Sequence, residues 1–439
     1  MLGRLGDKMT ETHAIAAASP DQPQARAAPL GASPDRIASL DFIRGIAVMG
    51  ILAANIVAFG QPFAAYMYPD AFLTPHGEAE NWMWVAQFVL VDGKMRALFS
   101  LLFGAGLYLF LEKAWARGQG RWLQVRRLLW LGLFGLLHFF LIWTGDILFL
   151  YAVSGLAVLP FAKMARRNQF ILGVLGYCVG GVVYAAMAAS MVMSANGTIP
   201  GNAETRAEVQ GVMVDAQDEA IAEDMIDADL IASGDYGGLV ARNVTVNATE
   251  PLSMLLLFWL ETLPLMLMGM ALYRKGLFSG AVDRRKQKLW GWAGVLVGGA
   301  LTLWIALAVR ASGFGYWDTL AAFIGWSHFP RLFMGLGLLA LLALWGETAR
   351  GWLAVRVSAA GRAAFTNYLG TSIVMMLVFH GWAGGLFGEL TRGALYGVVV
   401  IAWGVMLLWS KPWLDRYRYG PLEWLWRCLT YGRIFALRR

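Results

Sequence analysis

The stretch Arg36–Ile56 reads RIASLDFIRGIAVMGILAANI and sets charged side chains into an apolar helix. Its polar opening leads into an apolar run that begins at Phe42 and carries Arg44 in its first turn. Residues eleven apart on an α-helix differ by about 20° and lie about 16 Å apart along the axis. Arg44 and Asn55 therefore share one face, and Asp41 stands one turn before Arg44. Polar groups held in hydrocarbon are costly and point at protein or water. Two accounts fit. In one, this face lines a polar cavity. In the other, Arg44 anchors the helix end with Asp41 as its i,i+3 partner, while Asn55 bonds a neighbouring helix.

The rest of the chain agrees with a membrane protein. Of 439 residues, 58% are hydrophobic and 15% charged, with mean hydropathy +0.54; soluble domains carry about 25% charged residues. Ten apolar segments are long enough or nearly long enough to cross a bilayer: 42–60, 95–111, 128–143, 146–162, 169–193, 252–272, 289–311, 330–346, 364–387 and 393–411. The fold class expected is all-α, a polytopic membrane helix bundle of about ten spans. Lys and Arg gather in alternate connections. These include Lys113, Arg117, Arg121, Arg126 and Arg127, then Lys163, Arg166 and Arg167, and the segments 273–288, 347–363 and 411–439. The opposite side is poor in bases, and its long loop 195–250 sets eleven acids against Arg206 and Arg242. The positive-inside rule then places both termini in the cytoplasm. The net charge of +7 is thus a topology signal, and no aromatic–basic motif suggests a nucleic-acid partner.

This divides the chain into a disordered cytoplasmic tail (1–35), a first bundle (36–194), an acidic outer loop (195–250), a second bundle (251–411) and an amphipathic cytoplasmic tail (412–439). In the loop, Glu219, Glu223, Asp224, Asp227 and Asp229 interleave with Ile221, Met225, Ile226 and Leu230, which predicts an amphipathic helix with a solvated acidic face. In the last tail, Glu423 and Arg427 are spaced i,i+4 beside Trp424 and Trp426, the pattern of a helix lying on the inner leaflet. Cys178 and Cys428 fall in different compartments and are not expected to pair. Neither a zinc motif nor a phosphate-binding or dinucleotide loop is present, so no metal is expected and a nucleotide motor is excluded.

The candidate chemistry lies in polar groups at or inside the spans. His138 is roughly 7 Å below the end of its span at Trp143, and Asp146 follows the short Thr144-Gly145 turn. A carboxylate there would orient the imidazole and raise its basicity, as a general base requires; the alternative is a buried neutral histidine bonded to a neighbouring hydroxyl or carbonyl. Lys94 and Arg96 start a span after the Asp92-Gly93 breaker, where two cations and free N–H groups suit an anion, or else snorkel to headgroups. His76, in the outer loop, is an alternative catalytic imidazole or simply a solvated one. Arg362, Thr366 and Asn367 line a cytoplasmic vestibule or cap a helix.

The same stretches carry a resemblance. The first helix, KMRALFSLLFGAG from Lys94, GLLH at Gly135–His138, GDIL at Gly145–Leu148, AGRAAFTNYL from Ala360 and GPLEWLWR from Gly420 resemble the YeiB-type bacterial membrane proteins over roughly Arg36 to Gly432. The first helix and general layout are also similar to the transmembrane acyltransferases, which include heparan-α-glucosaminide N-acetyltransferase and the bacterial surface-polysaccharide O-acyltransferases. That likeness implies transfer of an acyl group from cytoplasmic acyl-CoA to a sugar on the far side of a membrane. The polysaccharide enzymes carry an arginine followed eleven positions later by a functional histidine. Arg44 matches the arginine, and Asn55 stands where the histidine would be. The glucosaminide enzyme also has asparagine there and uses a histidine of the following luminal loop, the region that here holds His76.

Two functions are therefore expected. One is an acyltransferase in the bacterial inner membrane, with His138 and Asp146 catalytic, and Asp41, Arg44, Asn55, Lys94, Arg96, Arg362 and Asn367 binding substrate. Acyl-CoA would be the donor, and a cell-envelope glycan or lipid-linked molecule the acceptor. The other is a transporter or flippase that uses the same polar groups as an ion-coupled pathway. Topology is directly testable. Reporter fusions after Trp115, Arg167, Arg285 and at the C-terminus are expected to report the cytoplasm, and those at Pro75 and Gln217 the outer side. A C-terminus on the outer side would overturn this orientation.

Overall fold

The structure, a computed structural model, describes residues 37–439; the tail expected at 1–35 lies outside the described residues. The ten apolar segments are largely helical, 364–387 only as far as Phe379, and the described chain forms sixteen α-helices with short 3₁₀ and π turns among them. The first half holds α1 (Ala38–Gly60), α2 (Glu78–Leu90), α3 (Lys94–Trp115), α4 (Trp122–Leu141), α5 (Leu148–Val158) and α6 (Arg166–Ala195). The long loop holds α7 (Ala203–Ser233) and α8 (Tyr236–Thr245). The second half holds α9 (Glu250–Arg274), α10 (Arg284–Ala311), α11 (Tyr316–Ala321), α12 (His328–Thr348), α13 (Trp352–Arg362), α14 (Ala364–Phe379), α15 (Arg392–Arg416) and α16 (Pro421–Tyr431).

Eight helical spans are long and apolar enough to cross a membrane by themselves, α2 and α3 counting as one. The pair α13 and α14 passes the same test only when taken together and is bent by 86° at Ala363, a broken span or a re-entrant loop. The remaining segment expected from the sequence, Leu148–Lys163, is helical but short for a full crossing. The chain is a multi-pass membrane protein, and its lipid-facing helices look the part: Val182 on α6, and Leu296 and Trp304 on α10, are exposed. α1 is the central helix and packs on α3, α12, α13, α14 and α15.

Within lipid, helix association draws little on the hydrophobic effect and relies on close packing of small residues. A Cβ at Gly104 would collide with the Met266 carbonyl, and one at Gly269 with the Leu101 carbonyl, so α3 and α9 meet backbone to backbone. Gly45 and Gly361 do the same for α1 and α13, against the carbonyls of Val357 and Asp41.

Both extramembrane stretches are helical, α7 over Ala203–Ser233 and α16 over Pro421–Tyr431, and both also bond to the rest of the protein. Asp224 accepts hydrogen bonds from the backbone N–H groups of Phe63 and Ala64 at 2.9 and 2.7 Å, and burial pushes its carboxyl up. Asp227 binds Arg242 on α8 at 2.6 Å. Tyr236 donates to the Leu141 carbonyl at 2.8 Å, which ties the loop to the end of α4. The tail helix α16 likewise packs on the bundle. Glu423 accepts from the N–H groups of Phe365 and Thr366 at 2.7 and 3.1 Å, and the Trp426 indole donates to the Arg127 carbonyl at 2.8 Å. Glu423 thus caps α14 beyond the bend. The bend leaves the first N–H groups of α14 without helical partners, and a carboxylate satisfies them.

Replacing Gly269 by Leu is expected to force α3 and α9 apart and destabilise the fold by about 1–3 kcal/mol or more. Gly299→Leu, where a side chain meets open space, is the control. Equal unfolding temperatures for the two purified variants in detergent would show that the α3–α9 contact does not depend on the missing Cβ.

Candidate functional site

Two polar centres stand on different sides of α1. The first forms where α4 ends and α5 begins. The break after Leu141 carries Trp143, Gly145 and Asp146 back across the end of α4, and His138 lies on its last turn. His138 Nδ1 is 2.9 Å from Asp146 Oδ1. The other oxygen, Oδ2, accepts the Phe149 N–H at 2.8 Å, as a cap on α5. A Cβ at Gly135 would collide with that same N–H and crowd Oδ2, so glycine one turn before His138 makes room for the carboxylate. The His138 and Asp146 side chains are 0% and 2% exposed.

With Asp146 as a carboxylate and the ring neutral, Nδ1 would carry the proton and Nε2 would keep its lone pair. Nε2 is buried, with no hydrogen-bond partner among the described residues. Tyr368 on α14 packs beside the imidazole, ring centroids 5.4 Å apart, and Trp143 closes another side at 6.3 Å. Trp143 and Tyr368 also line a narrow crevice with Thr371 and Ser372. Asn55 is among the residues that line that cleft.

The second centre is a chain of buried charges across α2, α3, α9, α12 and α15. Glu261 on α9 accepts from Arg96 at 3.0 Å and pairs with Arg331 of α12 through the same oxygen. Arg331 also donates to the Phe323 carbonyl at 2.6 Å and to Ser327 Oγ at 2.7 Å. That carbonyl belongs to a π turn, Ala322–Trp326, which shifts the ordinary helical pairing and leaves an acceptor for the guanidinium. Gly93, at φ +71°, starts α3 in the left-handed region, and any side chain there would strike Arg331. Lys94 is wholly buried, and its ammonium donates to the Phe88 carbonyl. Asp92 accepts from Tyr66 at 3.0 Å and from Gln87 at 3.3 Å. Gln87 in turn accepts from Arg392 at 2.7 Å.

The structure thus distributes the residues singled out in the sequence. His138 and Asp146 come together, and Asn55 joins their neighbourhood across Trp143 and Tyr368. Lys94 and Arg96 do not hold an open anion site or snorkel; both are engaged inside the protein. Arg44 pairs with Asp41 at 3.3 Å, eleven residues from Asn55 on α1. Arg127 lies near Arg44 and Arg427, its guanidinium sandwiched between Phe110 and Trp426. Asn367 is spent on structure, donating to Ala360 and Ser410 and accepting from Trp409. Arg362, at the end of α13, stands at the bend. His76 stands with Phe72 and Arg392, apart from the dyad. Sequence reasoning missed Glu261, Arg331 and Arg392, although the signal was available: the first two are charges inside apolar runs, and Arg392 directly precedes the run 393–411.

A family model described as a protein of unknown function (DUF418) matches residues 272–433. The uncharacterized protein YeiB of Escherichia coli is 32% identical over 90% of this chain and 96% of its own length. The uncharacterized protein YxaH of Bacillus subtilis is 32% identical over 90% of this chain and 94% of its own. An uncharacterized 39.9 kDa protein from Bacillus acidopullulyticus is 25% identical over 92% of this chain. No solved structure matches the chain. With a third of its residues shared along nearly the whole of both chains, the protein belongs to the family of YeiB and YxaH, whose C-terminal part is the DUF418 region.

Proposed function

We propose that the protein is a membrane acyltransferase that moves an acyl group from acyl-CoA to a hydroxyl or amine acceptor at the outer face of the bacterial inner membrane. The observation that carries this reading is the His138–Asp146 pair, in which the carboxylate holds one ring nitrogen and the other has no partner among the described residues. Nε2 takes the acceptor's proton as its oxygen or nitrogen attacks the thioester carbonyl carbon. The C–S bond then breaks, and the proton passes to the departing CoA thiolate. Asn55, which lines the cleft, stabilises the oxyanion through its amide. Arg44 and Arg127, at the other end of α1 and α4, suit the phosphates of the donor, and its extended arm reaches from there toward Asn55. The acceptor fits as a cell-envelope glycan or lipid-linked sugar.

The second reading is a transporter without a nucleotide motor. Its support is the Asp92, Lys94, Glu261 and Arg331 chain, since buried ionisable groups between membrane helices mark ion pathways. Labelled acyl-CoA supplied to proteoliposomes separates the two, because a transporter consumes no thioester.

His138→Ala and Asp146→Asn are each expected to lower thioester turnover by about 10²–10⁴-fold at unchanged protein level. Asparagine keeps the cap on Phe149 only by turning its amide toward Nδ1, which forces the wrong tautomer. The double variant is expected to be little worse than His138→Ala, because groups that act as one unit are non-additive. Multiplying effects would remove the dyad from the mechanism. A larger loss in His76→Ala would move the base to the outer loop.

A further inference from the structure

We propose that Arg392, Thr74 and His76 form a binding site for a phosphate-bearing ligand, separate from the His138 centre and independent of the acyltransferase reading. Arg392 is 0% exposed and starts α15. Its Nη1 donates to Gln87, while Nε and Nη2 are buried with no partner among the described residues. Those two nitrogens form the edge of the guanidinium that grips an oxyanion with two parallel hydrogen bonds. The cation also sits at the N-terminal end of a 25-residue helix, where the macrodipole favours a negative charge over a positive one.

The loop above Arg392 repeats the same deficit. The Phe72 ring lies 4.6 Å from the guanidinium carbon. Two residues on, Thr74 Oγ1 is buried without a partner among the described residues, and His76, which stands beside Asn81, has no ring nitrogen in a well-formed hydrogen bond. Burial and the facing Arg392 cation hold the His76 imidazole below its ordinary range. The neutral ring still offers one N–H. Buried polar atoms are nearly always satisfied, and a group of them left open under one loop indicates a missing partner.

The acids that face this pair are Asp92 and Glu80 toward Arg392, and Glu80 and Asp70 toward His76. Glu80 stands at the exposed rim and is turned back onto the Gly77 N–H at 3.1 Å. A carboxylate ligand would use its two oxygens on the guanidinium fork alone. A phosphate group has further oxygens for His76 and Thr74, so it answers all three side chains. Free phosphate and a phospholipid headgroup share this chemistry. Trp82 and Met83 on the adjoining α2 are exposed apolar side chains, which places the site within reach of lipid.

The test is calorimetric titration of the full-length protein in neutral detergent with inorganic phosphate, using chloride at matched ionic strength as reference. In parallel, unfolding temperature is compared in phosphatidylcholine nanodiscs with and without phosphatidylglycerol. A saturable response in either arm is expected, and the arm that responds identifies the source. Arg392→Lys, which keeps the charge but not the fork, and His76→Gln are each expected to weaken it about 10- to 100-fold, the loss of one charge-assisted hydrogen bond. Arg392→Gln is expected to abolish it. If Arg392→Gln fails to fold, Arg392→Lys and His76→Gln decide. No response in either arm, or the same response in wild type and variants, overturns the site, whatever the acyl-CoA assay shows.

Discussion

Glu261 is the group around which the bundle has to be arranged. A carboxylate in a helix flanked by Leu260, Leu263 and Leu265 has no water to turn to, and hydrocarbon cannot solvate it. It is stable there because Arg96 from α3 and Arg331 from α12 reach the same oxygen. Removing one member of such a buried set leaves an uncompensated charge, at a cost of about 3–5 kcal/mol. The requirement fixes how α3, α9 and α12 lie against one another. The glycine contacts between α3 and α9 bring the backbones close enough for Arg96 to reach, and the π turn before α12 supplies the carbonyl that holds Arg331 in place.

The same constraint explains why α1 can separate two different chemistries. Ala54 offers its carbonyl to Gln87 of the charge network, whereas Asn55, rotated by about 100°, lines the cleft beside Trp143 and Tyr368. One face of the helix therefore meets the network of buried charges, and the next meets a small space beside a carboxylate-oriented imidazole. A histidine with one nitrogen fixed and the other idle is suited to moving a proton. A chain of paired charges is suited to holding helices together or to passing an ion.

Much of the candidate site was legible because it is local. The turn from His138 to Asp146 spans eight residues, so the approach of imidazole and carboxylate followed from the shortness of the connection. Lys94 and Arg96 were recognisable as charges at the start of a span, but their partners were not. Glu261 is 165 residues from Arg96, and nothing in the periodicity of either helix selects one acid among many. Asn367 and Glu423 show the same limit: each had a plausible local role, and each is committed to a distant helix.

The sequence by itself determined that this is an all-helical membrane protein, which segments are apolar, and which charged residues would have to be compensated. Those properties depend on short-range composition and on the cost of placing backbone or charge in lipid. Only the tertiary structure decided who compensates whom: Glu261 for Arg96 and Arg331, Gln87 for one edge of Arg392, and Asp224 for the turn after α1. It also decided which groups are left over. His138 Nε2 and the Nε–Nη2 edge of Arg392 have no partner among the described residues, and that is a property of the packed bundle.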